Sequence, residues 1–164
     1  MSLKIFELPV VPVISKDDPE WLKNLFGSFP SAINLAHDNF PHFTEWPEVK
    51  PGQKLGIVWF EDETFENWEA VDQRLTAEGY GPDKRTIPPQ LAEIVPKCDE
   101  LWQLRQEGKG PAWIYASDGK SVWRNAFGDL YLPYVDLNPG FRRVNAYWVK
   151  YKFDDNDGFL VVCE

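Results

Sequence analysis

Cysteine, histidine, methionine and long apolar runs are all scarce in this chain. Of its 164 residues, 2 are Cys, 2 are His and 1 is Met. Two cysteines do not make a disulfide framework, so a reducing compartment is expected. Cys98 and Cys163 leave room for a single bridge, whose geometry the sequence does not fix. His37 and His42 stand without further ligands at zinc spacing, and neither cysteine belongs to a Cys-x-x-Cys pair. No metal centre and no cofactor is therefore expected. No apolar run approaches the ~20 residues needed to span a bilayer. The opening stretch, MSLKIFELPVVPVISKDD, has a short apolar core interrupted by Pro9 and Pro12 and no small-residue cleavage site. It reads as an edge strand rather than a signal peptide, which makes the cytoplasm the default location.

Positive charge is also in short supply. There are 17 Lys and Arg against 26 Asp and Glu, a net charge of −9. Such a chain repels phosphate backbones, so nucleic acid is not expected as a partner; the pair Arg142 and Arg143 is too small a basic patch to change that. No Gly-x-Ser-x-Gly, P-loop or Gly-x-Gly-x-x-Gly motif occurs.

What is plentiful is aromatic. Aromatic residues make up 15% of the chain and 8 of them are Trp, more than a core of this size requires, so part of the aromatic surface is expected to make contacts. The 14 Pro and 11 Gly imply many turns and few long helices. The length suits one domain, residues 1–164, in which residues 1–54 form an extension packed on a core at 55–164.

Hydrophobic periodicity assigns the elements. Residues 3–14 are expected to form a strand. Asp17 or Asp18 caps a short helix ended by Gly27, and residues 28–54 form irregular loop. The run Leu55–Phe60 reads as a buried strand. Thr64 is expected to cap a helix reaching about Glu78, with Phe65, Trp68, Val71 and Leu75 on its apolar face and Gly79 as its stop. Thr86 is expected to cap a second helix, with Pro88 and Pro89 in its first turn, and Asp99 to Gln106 a further helical stretch. Strands are then expected at 113–115, 121–123, 131–135, 141–153 and 159–163. Asn138-Pro139-Gly140 and Asp154–Gly158 are the turns between the last of them. Phe159-Leu160-Val161-Val162 has the look of a fully buried closing strand.

This order of weak motifs carries a resemblance over residues 55–164. A strand precedes a helix containing Trp68-Glu69-Ala70. Next come a Gly-Tyr turn, the segment Arg85-Thr86-Ile87-Pro88-Pro89-Gln90-Leu91, irregular strands and an apolar closing strand. Together they resemble the C-type lectin fold, in the form shared by formylglycine-generating-enzyme-like domains and the variable proteins of diversity-generating retroelements. The resemblance implies an α+β C-type lectin-like architecture, with two helices packed on small twisted antiparallel sheets among much irregular loop. It also implies a binding protein rather than an enzyme. In that family a fixed scaffold carries positions varied by mutation of adenines, which from an Asn-type codon yields residues such as Asn, Tyr, Arg and Asp but not Trp or Lys. Along 143–153, Arg143, Asn145, Tyr147, Val149, Tyr151 and Phe153 are all reachable in this way. The alternating set Val144, Ala146, Trp148, Lys150 and Lys152 includes Trp and Lys, which are not. In a strand the two sets occupy opposite faces.

The candidate contact residues are Asn125, Asp129, Tyr131, Tyr134, Asp136, Asn138, Arg142, Arg143, Asn145, Tyr147, Trp148 and Tyr151. Tyr and Trp offer large rigid area, and Asn, Asp and Arg offer directional hydrogen bonds, so a protein or other macromolecular surface is the expected partner. The plainer alternative is an ordinary half-buried sheet with aromatic cross-strand pairs. The turn Asp154-Asp155-Asn156-Asp157-Gly158 has oxygen ligands, but no calcium-loop spacing and no sugar-binding triplet, and reads as a solvated hairpin. Cys98 and Cys163 do not match the catalytic cysteines of formylglycine-generating enzymes. An enzyme of unspecified reaction on the same fold, or a phage or virion receptor-binding component, is the competing reading.

Overall fold

The computed structural model describes residues 2–7, 53–86, 90–91, 94, 98–116, 118, 123–124, 128–137 and 143–163, with 2–7, 123–124 and 143–146 by their backbone. The expected helix at 17–27, residues 28–52 of the expected loop, the turn at 138–140, and the candidates Asn125, Asn138 and Arg142 lie outside these residues; Lys54, expected in that loop, opens a strand.

The fold is α+β. Among the described residues seven strands form one mixed sheet: β1 (Ser2–Glu7), β2 (Lys54–Trp59), β3 (Trp113–Tyr115), β4 (Trp123–Arg124), β5 (Leu130–Asp136), β6 (Arg143–Trp148) and β7 (Asp157–Val162). Strand β7 lies inside the sheet, antiparallel to β2 and parallel to β3. Its six residues are all buried, as the apolar run predicts. Beyond β3 comes β5, which pairs with β3 and β4 and, over 131–136, with β6. A single sheet containing a parallel pair replaces the small antiparallel sheets expected from the sequence. The reason is local: Trp113, Ile114 and Tyr115 dock alongside Asp157, Gly158 and Phe159, closing the two halves into one ladder.

Side chains alternate across the sheet, so adjacent residues of β7 serve two cores. On one face Val58, Phe159, Val161, Tyr115 and Leu132 meet Trp68, Val71 and Leu75 of helix α1 (Trp68–Ala77). On the other, Ile57, Trp59 and Ile114 meet Leu101 and Leu104 of helix α2 (Cys98–Gln106), with Leu137 beside them. Burying each such side chain contributes about 2 kcal/mol. Gly158 is small by necessity, because a Cβ there would lie 2.5 Å from Pro111 Cγ.

Helix α1 starts later than the periodicity predicts. Its cap is Asn67, whose side-chain oxygen accepts the Ala70 N–H at 3.0 Å, and not Thr64. The chain before it is held extended, because Phe65 exchanges both backbone hydrogen bonds with Phe153 at 2.8 Å. Gly79, at φ 94°, ends the helix as expected. Residues 87–89, the expected first turn after Thr86, lie outside the described residues, but the Thr86 side chain has a partner in the sheet. Its hydroxyl donates to the Leu160 carbonyl at 2.8 Å, and neighbouring Arg85 bridges to Val161, so this segment lines β7. No disulfide joins Cys98 and Cys163.

Candidate binding surface

Five aromatic rings run outward from the core at the β5–β6 end of the sheet. The innermost anchor is Tyr115 on β3, which is 2% exposed and has its ring 6.0 Å from that of Phe159. Tyr134 lies 5.0 Å from Tyr115, and Tyr147 lies 5.7 Å from it, edge on. Tyr151 follows at 5.3 Å from Tyr147, and Trp148 stands nearly perpendicular to Tyr151 at 5.0 Å. Such edge-to-face contacts are the favoured arrangement of aromatic quadrupoles. Lys150 places its ammonium 5.5 Å from the Trp148 ring centre, within cation–π range.

Exposure rises along this series. Tyr134, Tyr147 and Trp148 are half-buried, whereas Tyr151 is 52% exposed and is the exposed large hydrophobic side chain among the described residues. The turn that presents Tyr151 is fixed by the backbone. The Val149 N–H donates to Leu130, the Trp68 N–H donates to the Val149 carbonyl, and the Tyr151 N–H returns to Trp148. The Tyr147 hydroxyl donates to the Lys152 carbonyl at 2.5 Å, pinning the far side of the turn to the sheet.

This geometry corrects the expected strand over 141–153. Strand β6 ends at Trp148, because Val149 is drawn toward the N-terminus of α1 and Phe153 toward Phe65. Beyond Trp148 the two-face alternation therefore fails. Phe153 is fully buried and Val149 packs against the core, while Tyr151 is exposed. Tyr147 is not a simply outward-facing residue either, because its ring also lies 5.1 Å from that of Phe153.

Among the other candidates, Asp136 is buried, at 8% exposed, opposite Trp113 and Arg143 in the ladder. Placed between two strands, it is withdrawn from the surface on which it was expected. Asp129 and Tyr131 are half-buried, and Tyr131 pairs with Trp148 in register. Arg143 and Asn145 occupy β6 opposite Asp136 and Tyr134.

Two residues the sequence reading passed over sit behind the surface. Tyr115 is one; its strand, Trp-Ile-Tyr, carried no sign of contact with the tail. The other is Asp157, 4% exposed, whose Oδ2 accepts the Asp154 N–H at 2.8 Å. Its position directly ahead of the buried Gly-Phe-Leu-Val-Val run is the signal that could have separated it from the solvated carboxylates beside it. Burial pushes the Asp157 carboxyl up to about 7, against the lowering effect of the Asp154 backbone hydrogen bond. Burial, then the Asp157 charge, pushes the Tyr115 hydroxyl well above its usual value. Tyr147 is raised by burial and by the charges of Asp157 and Asp154.

The acidic turn is thus not wholly a solvated hairpin, since one of its carboxylates is turned inward. Among the described residues, no group of three His, Cys, Asp or Glu is arranged to hold a metal ion, and no helix is long and apolar enough to cross a membrane. What the surface offers chemically is rigid aromatic area, hydroxyls and one amine. No protein-family model, no curated protein and no solved structure matches this chain.

Proposed function

We propose that this chain is a non-enzymatic recognition protein that binds a macromolecular partner, most simply another protein, through Tyr151, Trp148 and the rim of Tyr147, Tyr134 and Tyr131. The observation that carries this is Tyr151. A large aromatic side chain, 52% exposed, is braced from below by rings that reach the core. Exposed aromatics held rigid lose little entropy on binding, which is what an interface anchor needs.

The finer part of the proposal is a C-type lectin-like frame diversified by a retroelement. What supports it is the order strand, helix, helix, strands, with the closing strand β7 paired beside β2. The end of the adenine-reachable alternation at Trp148 narrows the candidate varied positions to those that remain accessible. A neighbouring reverse-transcriptase gene, with a near-copy of the DNA for residues 120–158 differing at adenines, is expected; absence of both sinks the diversification.

Binding itself is tested by placing a photo-reactive phenylalanine at Tyr151 in one variant and at Glu69, on the exposed side of α1, in another. Crosslinking in the native host to one discrete species from position 151 alone supports the proposal. Equal or absent products from the two positions overturn it.

A further inference from the structure

Strand β6 is an edge of the sheet. It pairs with β5 over six residues without a bulge, and among the described residues no strand lies on its other side. Two hydrogen bonds fix which of its backbone groups face outward. The Val149 N–H donates to the Leu130 carbonyl at 3.2 Å, so residues 149, 147, 145 and 143 turn their N–H and C=O groups toward β5. On β5, Pro133 is the register partner of Ala146, and its carbonyl accepts the Ala116 N–H at 3.3 Å on the β3 side. Both bonds give the same parity: Val144 and Ala146 turn their N–H and C=O groups away from the sheet. The outward carbonyl of Trp148 accepts the Tyr151 N–H at 3.0 Å, which ends the open stretch.

Such a row of open backbone groups is a template for another strand, and folds guard it with charge, proline or a bulge. The opposite edge, β1, carries Lys4 in its middle. The sequence of β6, Arg143-Val144-Asn145-Ala146-Tyr147-Trp148, has no proline, and its single charge stands at one end. We infer that this edge binds the same edge of a second copy of the chain, antiparallel about a two-fold axis at Asn145. Of the antiparallel registers this one engages every open group: Val144 and Ala146 exchange backbone hydrogen bonds with Ala146 and Val144 of the second copy. In the same register Arg143 falls opposite Tyr147 and Asn145 opposite Asn145, so no like charges meet directly. The two Arg143 positions stand four residues apart along the joined strands, roughly 13 Å, beyond the ~8 Å over which salt leaves charges unscreened. The 26 carboxylates behind the net charge of −9 all lie off this strand. A foreign strand fits these groups only where its charges and register happen to match, whereas a second copy matches by its own sequence. The pairing needs neither Tyr151 nor the recognition role proposed above; it would carry two Tyr151 surfaces at opposite ends of the joined strands.

The test is sedimentation of the intact chain alone, with amide exchange read residue by residue at a dilute and a concentrated end. A reversible dimer is expected, with a Kd of about 0.1 mM, as for a small transient interface. The Val144 and Ala146 amides are expected to exchange freely in the dilute chain and about fivefold more slowly at ten times that Kd. The Asn145 and Tyr147 amides face β5 and are expected to be protected at both ends, which makes them the internal reference. Ala146→Pro removes an outward N–H and none that faces β5, so the folded variant is expected to stay monomeric. A chain that stays monomeric at about 1 mM overturns the pairing. So does a dimer whose Val144 and Ala146 amides keep their monomer rate, protection of those amides already in the dilute chain, or a folded Ala146→Pro that still dimerises. Should that variant not fold, the concentration dependence of the unaltered chain decides alone. Tyr151→Ala is expected to leave the dimer intact, so this result and the crosslinking at position 151 stand or fall separately.

Discussion

Asp157→Asn should make this protein more stable at alkaline pH and leave it nearly unchanged in acid. The Asp157 carboxyl is 4% exposed and titrates at about 7 in the fold, against an ordinary value of 3.8. Between those two values the folded chain holds a proton that the unfolded chain has released. Stability therefore falls as pH rises through that window, the opposite of an ion-paired aspartate. The protonated form's advantage is fully present below 3.8 and is gone above 7. A difference of about three units at 1.36 kcal/mol each gives about 4 kcal/mol. For a chain of this size that is about 12 °C in Tm. Asparagine keeps the shape and an acceptor for the Asp154 N–H, and its NH2 can donate to the Tyr115 hydroxyl, but it carries no charge to desolvate. Thermal or urea unfolding of both proteins at pH 4, 5, 6, 7 and 8 provides the measurement, and other titrating groups cancel in the difference. The curves should meet near pH 4, diverge up to about pH 7 and hold their separation at pH 8, with the asparagine protein above. Parallel curves, or an asparagine protein that is the weaker one at pH 8, would refute the argument that desolvation dominates at this carboxyl.

Three further outcomes follow from particular contacts. Tyr151→Ala should change stability by less than about 0.5 kcal/mol, as for an ordinary surface site. Tyr147→Ala should cost about 2–3 kcal/mol through its lost ring contacts and its bond to Lys152, and equal losses from the two in urea unfolding would contradict the depth series. Arg85, with its side chain 1% exposed, pairs with Asp72 and donates to the Tyr80 and Asp72 carbonyls and to Thr76 Oγ1. Arg85→Ala should cost about 2–3 kcal/mol, through the Tyr80 and Asp72 carbonyls left without their donor rather than through the Asp72 carboxylate, which is 41% exposed, and Arg85→Lys should recover only part of that, since an ammonium lacks the guanidinium fork; full recovery by Lys in a melting experiment would show that charge alone matters. Gly158→Ala should cost about 1–3 kcal/mol, because its methyl group would meet Pro111 at 2.5 Å and Ile57 at 2.9 Å, and an unchanged melting temperature would mean that the backbone there gives way.

Much of the scaffold was legible because it is written in runs and periods. Leu55–Phe60 and Phe159–Val162 are continuous apolar stretches, and both are buried strand or its direct continuation. Trp68, Val71 and Leu75 recur at helical spacing, and they are the buried side of α1. Boundaries were less legible, because they are set by contacts distant in sequence. Thr64 and Asn67 are both good caps by residue type. The bridge from Phe65 to Phe153 is what keeps Thr64 outside the helix. The end of β6 has the same origin, since nothing in Tyr147–Phe153 signals that the Val149 carbonyl will be claimed by the Trp68 N–H.

The candidate surface was legible in composition but not in depth. Tyr115, Tyr147 and Tyr151 are one residue type at three levels: buried, half-buried and 52% exposed. Their ring contacts form a single chain, Tyr115 to Tyr147 to Tyr151. Alternation along a strand assigns a face, but it does not say how far from the core each position on that face lies, and it stops applying where the strand ends. Depth here is decided by the parallel docking of β3 on β7, which brings Tyr115 under the tail, and by Phe153, which pulls the chain back inward after the turn. The same two contacts bury Asp157 and leave Tyr151 outside. Substitution on this surface is therefore tolerated best at the outer end of the ring chain. Substitutions one ring further in change the stability of the scaffold along with the surface, so on the recognition role proposed above packing limits which positions can change before any partner does.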